Sequence, residues 1–161
     1  MYKLDQTQTP LFDALMEYVD RDTIPFHVPG HKKGDGCDDK FKNFVGKNVL
    51  SIDVTVFKLV DSLHHPTGVI KQAQELAADA YGSDKAFFSI NGTSGAIQAM
   101  ILSVVSRGDK IIIPRNVHKS VTAGIILSGA CPVYMQPEID RTIGVALGVP
   151  PETVEDTLRK N

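Results

Sequence analysis

The stretch Ser89-Ile90-Asn91-Gly92-Thr93-Ser94-Gly95 constrains the fold more than any other part of the chain. It separates two apolar runs of different period. Lys85 to Ile90 is short and rich in aromatic and β-branched residues, which reads as a buried strand. Ala96 to Val105 spreads Leu, Ile and Met around a helical period and closes at Gly108. The stretch therefore reads as a strand-to-helix turn. Its two glycines let a ligand approach the backbone without a Cβ in the way. Thr93 and Ser94 fall where the first turn of a helix leaves its N–H groups unpaired. Free amides, the positive end of a helix dipole and short hydroxyls together make a seat for a phosphate. An ordinary N-capped helix after a strand has the same pattern. On spacing alone that plainer reading is favoured, because short glycine motifs recur by chance.

The elements downstream raise the functional reading. A helix over 94–106, a strand over 110–114, a helix over 117–128 and a strand over 131–135 follow in order, with turns at Gly108-Asp109 and Gly129. Helices alternating with short buried strands predict an α/β fold with a parallel sheet covered on its faces. Ligands of such sheets bind beyond the carboxyl ends of the strands. The Ser89–Gly95 turn and the loop Arg115-Asn116-Val117-His118-Lys119 both fall at that edge.

Upstream, Thr9-Pro10 opens a helix with a capping hydroxyl, and Leu11, Phe12, Leu15, Met16 and Val19 form its apolar stripe. Pro25 to Gly34 holds two prolines and two glycines, which forbid regular helix. It is either a solvated turn or a rigid basic loop, carrying Lys32 and Lys33, that lines an anionic pocket. His27 and His31 are four apart, but Pro29 and Gly30 between them deny the helical spacing of a metal pair. A zinc site drawing on Cys37, His64 or His65 is the weaker alternative, and no metal is expected. Residues 35–48 read as a polar connection, and 49–60 as a weakly periodic short strand. Thr67-Gly68 starts a helix whose apolar face is Val69, Ala73, Leu76, Ala77 and Ala80, closed by Gly82.

The formal net charge of −2 gives no reason to expect a nucleic-acid or anionic-membrane partner. No run approaches the ~20 apolar residues of a membrane span. The polar start, Met1 to Gln8, lacks a signal-peptide core. Cys37 and Cys131 are far apart, which predicts two reduced thiols and a cytoplasmic protein.

Four motifs in fixed order, Thr9-Pro10-Leu11, Pro29-Gly30-His31-Lys32-Lys33-Gly34, Asn91-Gly92-Thr93-Ser94-Gly95 and Arg115-Asn116-Val117-His118-Lys119-Ser120, resemble the Orn/Lys/Arg decarboxylase family. The resemblance runs from about Thr9 to Pro150. It implies the aspartate-aminotransferase-like fold of pyridoxal-phosphate enzymes. Residues 1–66 would be an N-terminal segment, and 67–161 the beginning of the cofactor-binding large domain. Gly92, Thr93 and Ser94 resemble the loop that holds the phosphate of pyridoxal 5'-phosphate. His118 resembles the histidine stacked on the cofactor ring, which can also assist proton transfer.

The implied reaction removes the carboxylate of arginine, lysine or ornithine as carbon dioxide, leaving agmatine or a diamine. The full-length protein would be a homodimer or higher homo-oligomer. The family's Schiff-base lysine and its pyridine-nitrogen aspartate come later in the chain than Asn161, and Lys119 is not that lysine. The 161 residues therefore read as a segment of a longer enzyme, inactive alone. Another pyridoxal-phosphate enzyme of the same fold, or a non-catalytic phosphate-binding remnant, are the alternatives.

Overall fold

A computed structural model describes residues 3–21 and 23–161, so Met1, Tyr2 and Asp22 lie outside it. The chain divides into two compact units, Met1–Phe88 and Ser89–Asn161. Within the first unit, helix α4 (Val69–Tyr81) packs against helix α1 (Pro10–Asp20).

In the first unit, α1 starts at its proline as expected, but Thr9 does not cap it. Its hydroxyl donates to Asp13 Oδ1 at 2.9 Å instead. The buried face is Ala14 and Tyr18, whereas Phe12 and Met16 of the expected stripe are exposed. Tyr18 is buried because its polar end is satisfied there. Its hydroxyl meets His27 Nε2 at 2.6 Å and its ring lies 5.2 Å from that of Phe57.

The expected polar connection over 35–48 and weak strand over 49–60 are replaced by a 3-10 turn (Lys32–Gly34) and two short helices, α2 (Asp39–Val45) and α3 (Lys47–Ser51). Asp38 nucleates α2 by accepting from the amides of Lys40 and Phe41 at 2.9 and 3.3 Å. Beyond α3 the backbone is irregular, apart from one bridge between Phe57 and Asp61. A loosely alternating run forms a strand only where a neighbour completes its ladder, and none does so here among the described residues.

Helix α4 ends at Gly82 in the left-handed region (φ 65°), as its position predicts. Its start depends on a residue from outside the helix. The carboxylate of Asp61 accepts from the amides of Ser62 at 2.8 Å, Gly68 at 2.8 Å, Thr67 at 3.1 Å and Ile70 at 3.2 Å. Burial pushes this carboxyl up, but the amides of Thr67, Ser62, Gly68 and Lys71 outweigh it and hold it at about 2. Ala78, not Ala80, is the alanine this helix buries.

In the second unit, strands β1 (Lys110–Pro114) and β2 (Cys131–Met135) occupy the spans read from the sequence and pair in parallel, Lys110 opposite Cys131 through Pro114 opposite Met135. Helix α5 (Gly92–Val104) precedes β1, and helix α6 (Lys119–Ser128) crosses from β1 to β2. Ile101, Ile113, Ile125 and Met135 form the core. Gly124 of α6 lets the helices close up, since a Cβ there would lie 2.8 Å from Ile101 Cδ1. A small hairpin, β3 (Ile139–Asp140) with β4 (Val145–Ala146), leads into helix α7 (Pro151–Lys160).

The expected strand over 85–90 is not formed. The segment is irregular and pairs with no strand among the described residues, leaving Phe87 and Ile90 each 83% exposed. Its composition suits a strand; it lacks a paired neighbour. No helix among the described residues is long and apolar enough to cross a membrane.

Candidate functional site

The second unit's helices set the geometry. Their carboxyl ends meet: the Gly108 amide donates to the Gly129 carbonyl at 3.0 Å, and Gly129 packs on the Arg107 side chain. Because α5 runs into β1 and α6 runs out of it, both amino ends then lie at the carboxyl edge of the strand pair. The two loops singled out in the sequence are thus on one edge.

At the first loop, Asn91 is the N-cap residue and Gly92 begins α5 with φ 65°. Asn91 makes no side-chain capping bond at this end of the helix. No acceptor among the described residues takes the amides of Gly92, Thr93 or Ser94, and all three residues are exposed. Gly95 allows the tight turn behind them. A Cβ at that position would stand 2.8 Å from Asn91 Cβ and 3.4 Å from Ser89 Oγ. Three free amides in the first turn, flanking hydroxyls and a backbone packed too closely for a side chain are a donor set that suits a phosphate dianion.

At the second loop, the Arg115 amide donates to the Met135 carbonyl at 2.8 Å, and the Arg115 guanidinium sits 4.6 Å from the centre of the Tyr134 ring. His118 is the N-cap of α6. Its Nδ1 accepts from the Ser120 amide at 3.2 Å and lies 2.8 Å from Ser120 Oγ. Its ring is otherwise exposed, and Lys119 beside it is exposed as well. Gly92, Thr93, Ser94 and His118 therefore share an edge, with no direct hydrogen bond between the two groups among the described residues. The residue not singled out in advance is Ser120, 2% exposed beneath His118. A Ser two places after a capping residue carries no strong sequence signal.

In the basic loop of the first unit, both lysine ammonium groups reach backbone carbonyls. Lys32 Nζ donates to the Pro25 carbonyl at 2.7 Å, and Lys33 Nζ reaches the Tyr18 and Arg21 carbonyls at 3.5 and 3.4 Å. Both ammonium groups thus have backbone-oxygen partners, Lys33 at the end of α1. His31 Nδ1 accepts from the Gly34 amide at 3.1 Å, and its Nε2 lies 3.3 Å from Asp53. With His27 held by Tyr18, neither histidine joins a cluster of three or more metal-ligating side chains among the described residues. His64 and His65 are exposed in a turn. Both cysteines are free thiols.

Comparison with known proteins gives a consistent picture. The family model "Orn/Lys/Arg decarboxylase, major domain" matches residues 9–161. Arginine decarboxylase of Bacillus anthracis is 53% identical over 161 residues, which is 100% of this chain and 33% of that protein. The constitutive ornithine decarboxylase of Escherichia coli is 37% identical over 135 residues, 79% of this chain and 19% of its own length. Among solved structures, lysine decarboxylase A from Pseudomonas aeruginosa superposes with a TM-score of 0.79 at 34% identity, over 94% of this chain and 22% of that one. The chain spans a third or less of the length of these relatives.

Proposed function

The chain belongs to the Orn/Lys/Arg decarboxylase family, and from that membership we propose that it is the part of a basic-amino-acid decarboxylase that seats pyridoxal 5'-phosphate. The observation that carries the reading is the shared edge of the second unit, where the free amides of α5 and the histidine that opens α6 lie together. The proposed fold of the whole is the aspartate-aminotransferase-like one, with residues 67–161 as the beginning of its large domain. Arginine, lysine or ornithine is the proposed substrate, in the cytoplasm, with the full-length protein a homo-oligomer.

Each residue has a physical task. The amides of Gly92, Thr93 and Ser94, at the positive end of α5, bind and orient the phosphate, and the two hydroxyls add donors. The exposed ring of His118 offers an aromatic face against which a pyridine ring stacks, excluding water from it. Bound pyridoxal phosphate supplies the electron sink that lets the substrate carboxylate depart as carbon dioxide. The resemblance assigns the covalent anchor to a lysine outside these 161 residues, so this segment alone binds without reacting.

The test is a titration of the purified chain with pyridoxal phosphate and with inorganic phosphate. Tighter binding of the whole cofactor, weakened by Thr93→Ala and by His118→Ala, is expected. Equal affinity for the two ligands refutes the ring-stacking role. Release of carbon dioxide from arginine, lysine or ornithine by the chain with added cofactor refutes its inactivity.

A further inference from the structure

We infer that Ser120 is a positioning residue that locks His118 in one tautomer, with the proton on Nε2, so that the ring presents a hydrogen-bond donor and not a proton acceptor to the carboxyl edge. The argument is one of donor and acceptor inventory. A backbone N–H can only donate, and the Ser120 amide points at His118 Nδ1 from 3.2 Å. Nδ1 must therefore carry its lone pair. The Ser120 hydroxyl, 2.8 Å from the same nitrogen, also donates, since an N–H at Nδ1 would face the amide hydrogen. Ser120 is 2% exposed, so water does not readily replace its hydroxyl.

The neutral ring then carries its hydrogen on Nε2. To take up a proton at the edge, His118 would need a lone pair at Nε2, and the amino end of α6 holds it in the other tautomer. Proton uptake at Nδ1 would remove the N-cap of α6. A donor suits a ring laid against an anionic or electron-rich group, whereas a general base needs the opposite tautomer. That chemical consequence rests on the reading of this edge as a cofactor seat. The tautomer itself does not.

The experiment reads tautomers directly, in the chain without cofactor. Two-bond proton–nitrogen correlations of histidine-labelled protein, or solid-state nitrogen spectra if the chain self-associates, distinguish an N–H from a bare ring nitrogen. His118→Gln identifies the His118 signals. The expected result is a bare, hydrogen-bonded Nδ1 and a protonated Nε2 in the neutral protein. In Ser120→Ala the residue-120 amide still donates to Nδ1 but the hydroxyl donor is gone, so the Nδ1–H form should rise, by up to about fivefold, the usual worth of one neutral hydrogen bond. Ser120→Cys, a weaker donor of similar size, should fall between the two.

A wild-type ring protonated on Nδ1 overturns the inference, and this measurement requires no variant to fold. An unchanged tautomer in Ser120→Ala overturns the role of Ser120. Failure of pyridoxal phosphate to bind, with the tautomer as expected, overturns the cofactor reading alone.

Discussion

Replacing Gly95 by alanine tests whether the amides of α5 hold an anion. The added Cβ would lie 2.8 Å from Asn91 Cβ, about 1 Å inside ordinary carbon–carbon contact. Asn91 Cβ is bonded to the backbone of the N-cap residue, so no rotamer change relieves the clash. The turn must open, and the amides of Gly92, Thr93 and Ser94 move with it. Overpacking of this kind costs about 1–3 kcal/mol. Alanine returns up to about 1 kcal/mol through its better helix propensity. At the middle of these ranges the net strain, about 1–2 kcal/mol, is relieved when the amides leave their bound positions. Affinity for phosphate should then drop about 5- to 30-fold. Isothermal titration with phosphate and with pyridoxal phosphate measures the drop, and circular dichroism checks that α5 survives. Wild-type affinity in a folded Gly95→Ala protein would refute the reasoning, because the anion would then be bound elsewhere. Gly92→Ala is the comparison. Open space surrounds its Cβ, so only the left-handed backbone (φ 65°) resists, at a cost of about 1–2 kcal/mol.

The remaining predictions concern stability. Asp61→Asn keeps a residue tolerant of the left-handed backbone (φ 65°) but removes the charge that the amides around α4 solvate, and urea unfolding at pH 7 should show a loss of about 1–2 kcal/mol after allowance for the water around this half-buried carboxylate. The Asp61 carboxyl is lowered on folding to about 2, so its contribution is full above its unfolded value near 3.8 and fades as pH falls toward 2; a difference between wild type and Asn that stays constant from pH 5 to pH 2 contradicts this. Lys33→Met removes the ammonium both from the Tyr18 ring, 4.6 Å away, and from the carbonyls of Tyr18 and Arg21, with an expected cost of about 1 kcal/mol by the same assay; an unchanged midpoint shows the ammonium to be idle. Gly124→Ala drives a methyl toward Ile101 Cδ1 and Cβ, at 2.8 and 3.2 Å, and should destabilise the second unit by about 1–3 kcal/mol, with α6 loosening ahead of the first unit in hydrogen exchange.

Local chemistry that completes itself within a few residues could be read in advance. The spans of β1 and β2 follow from short apolar runs bounded by Gly108-Asp109 and Gly129, and Gly82 ends α4 where a left-handed residue is needed. The placement of the glycine turn and of His118 at helix starts was legible for the same reason. Features set by partners distant in sequence were not legible. Asp61 caps a helix that begins several residues later, which no local pattern encodes, and the expected capping hydroxyl of Thr9 is diverted to Asp13. Tyr18 looks like a surface residue until His27 is placed against its hydroxyl.

Lys33 and His118 show why residue type alone misleads about function. A lysine in a proline- and glycine-rich loop suggests an anion site, yet the carbonyls at the end of α1 satisfy Lys33 within its own unit. A histidine at a helix start suggests a structural cap, and His118 is one, but only through Nδ1. Capping uses one ring nitrogen and leaves the other nitrogen and the ring face exposed. The same bond that satisfies the helix thus aims the imidazole at the edge and fixes its proton. Lys33 carries a single polar group, and two of its three donors already reach carbonyls. A capped helix end with an exposed imidazole, beside an uncapped one with free amides, is an arrangement in which structure and binding are served by different atoms of the same residues.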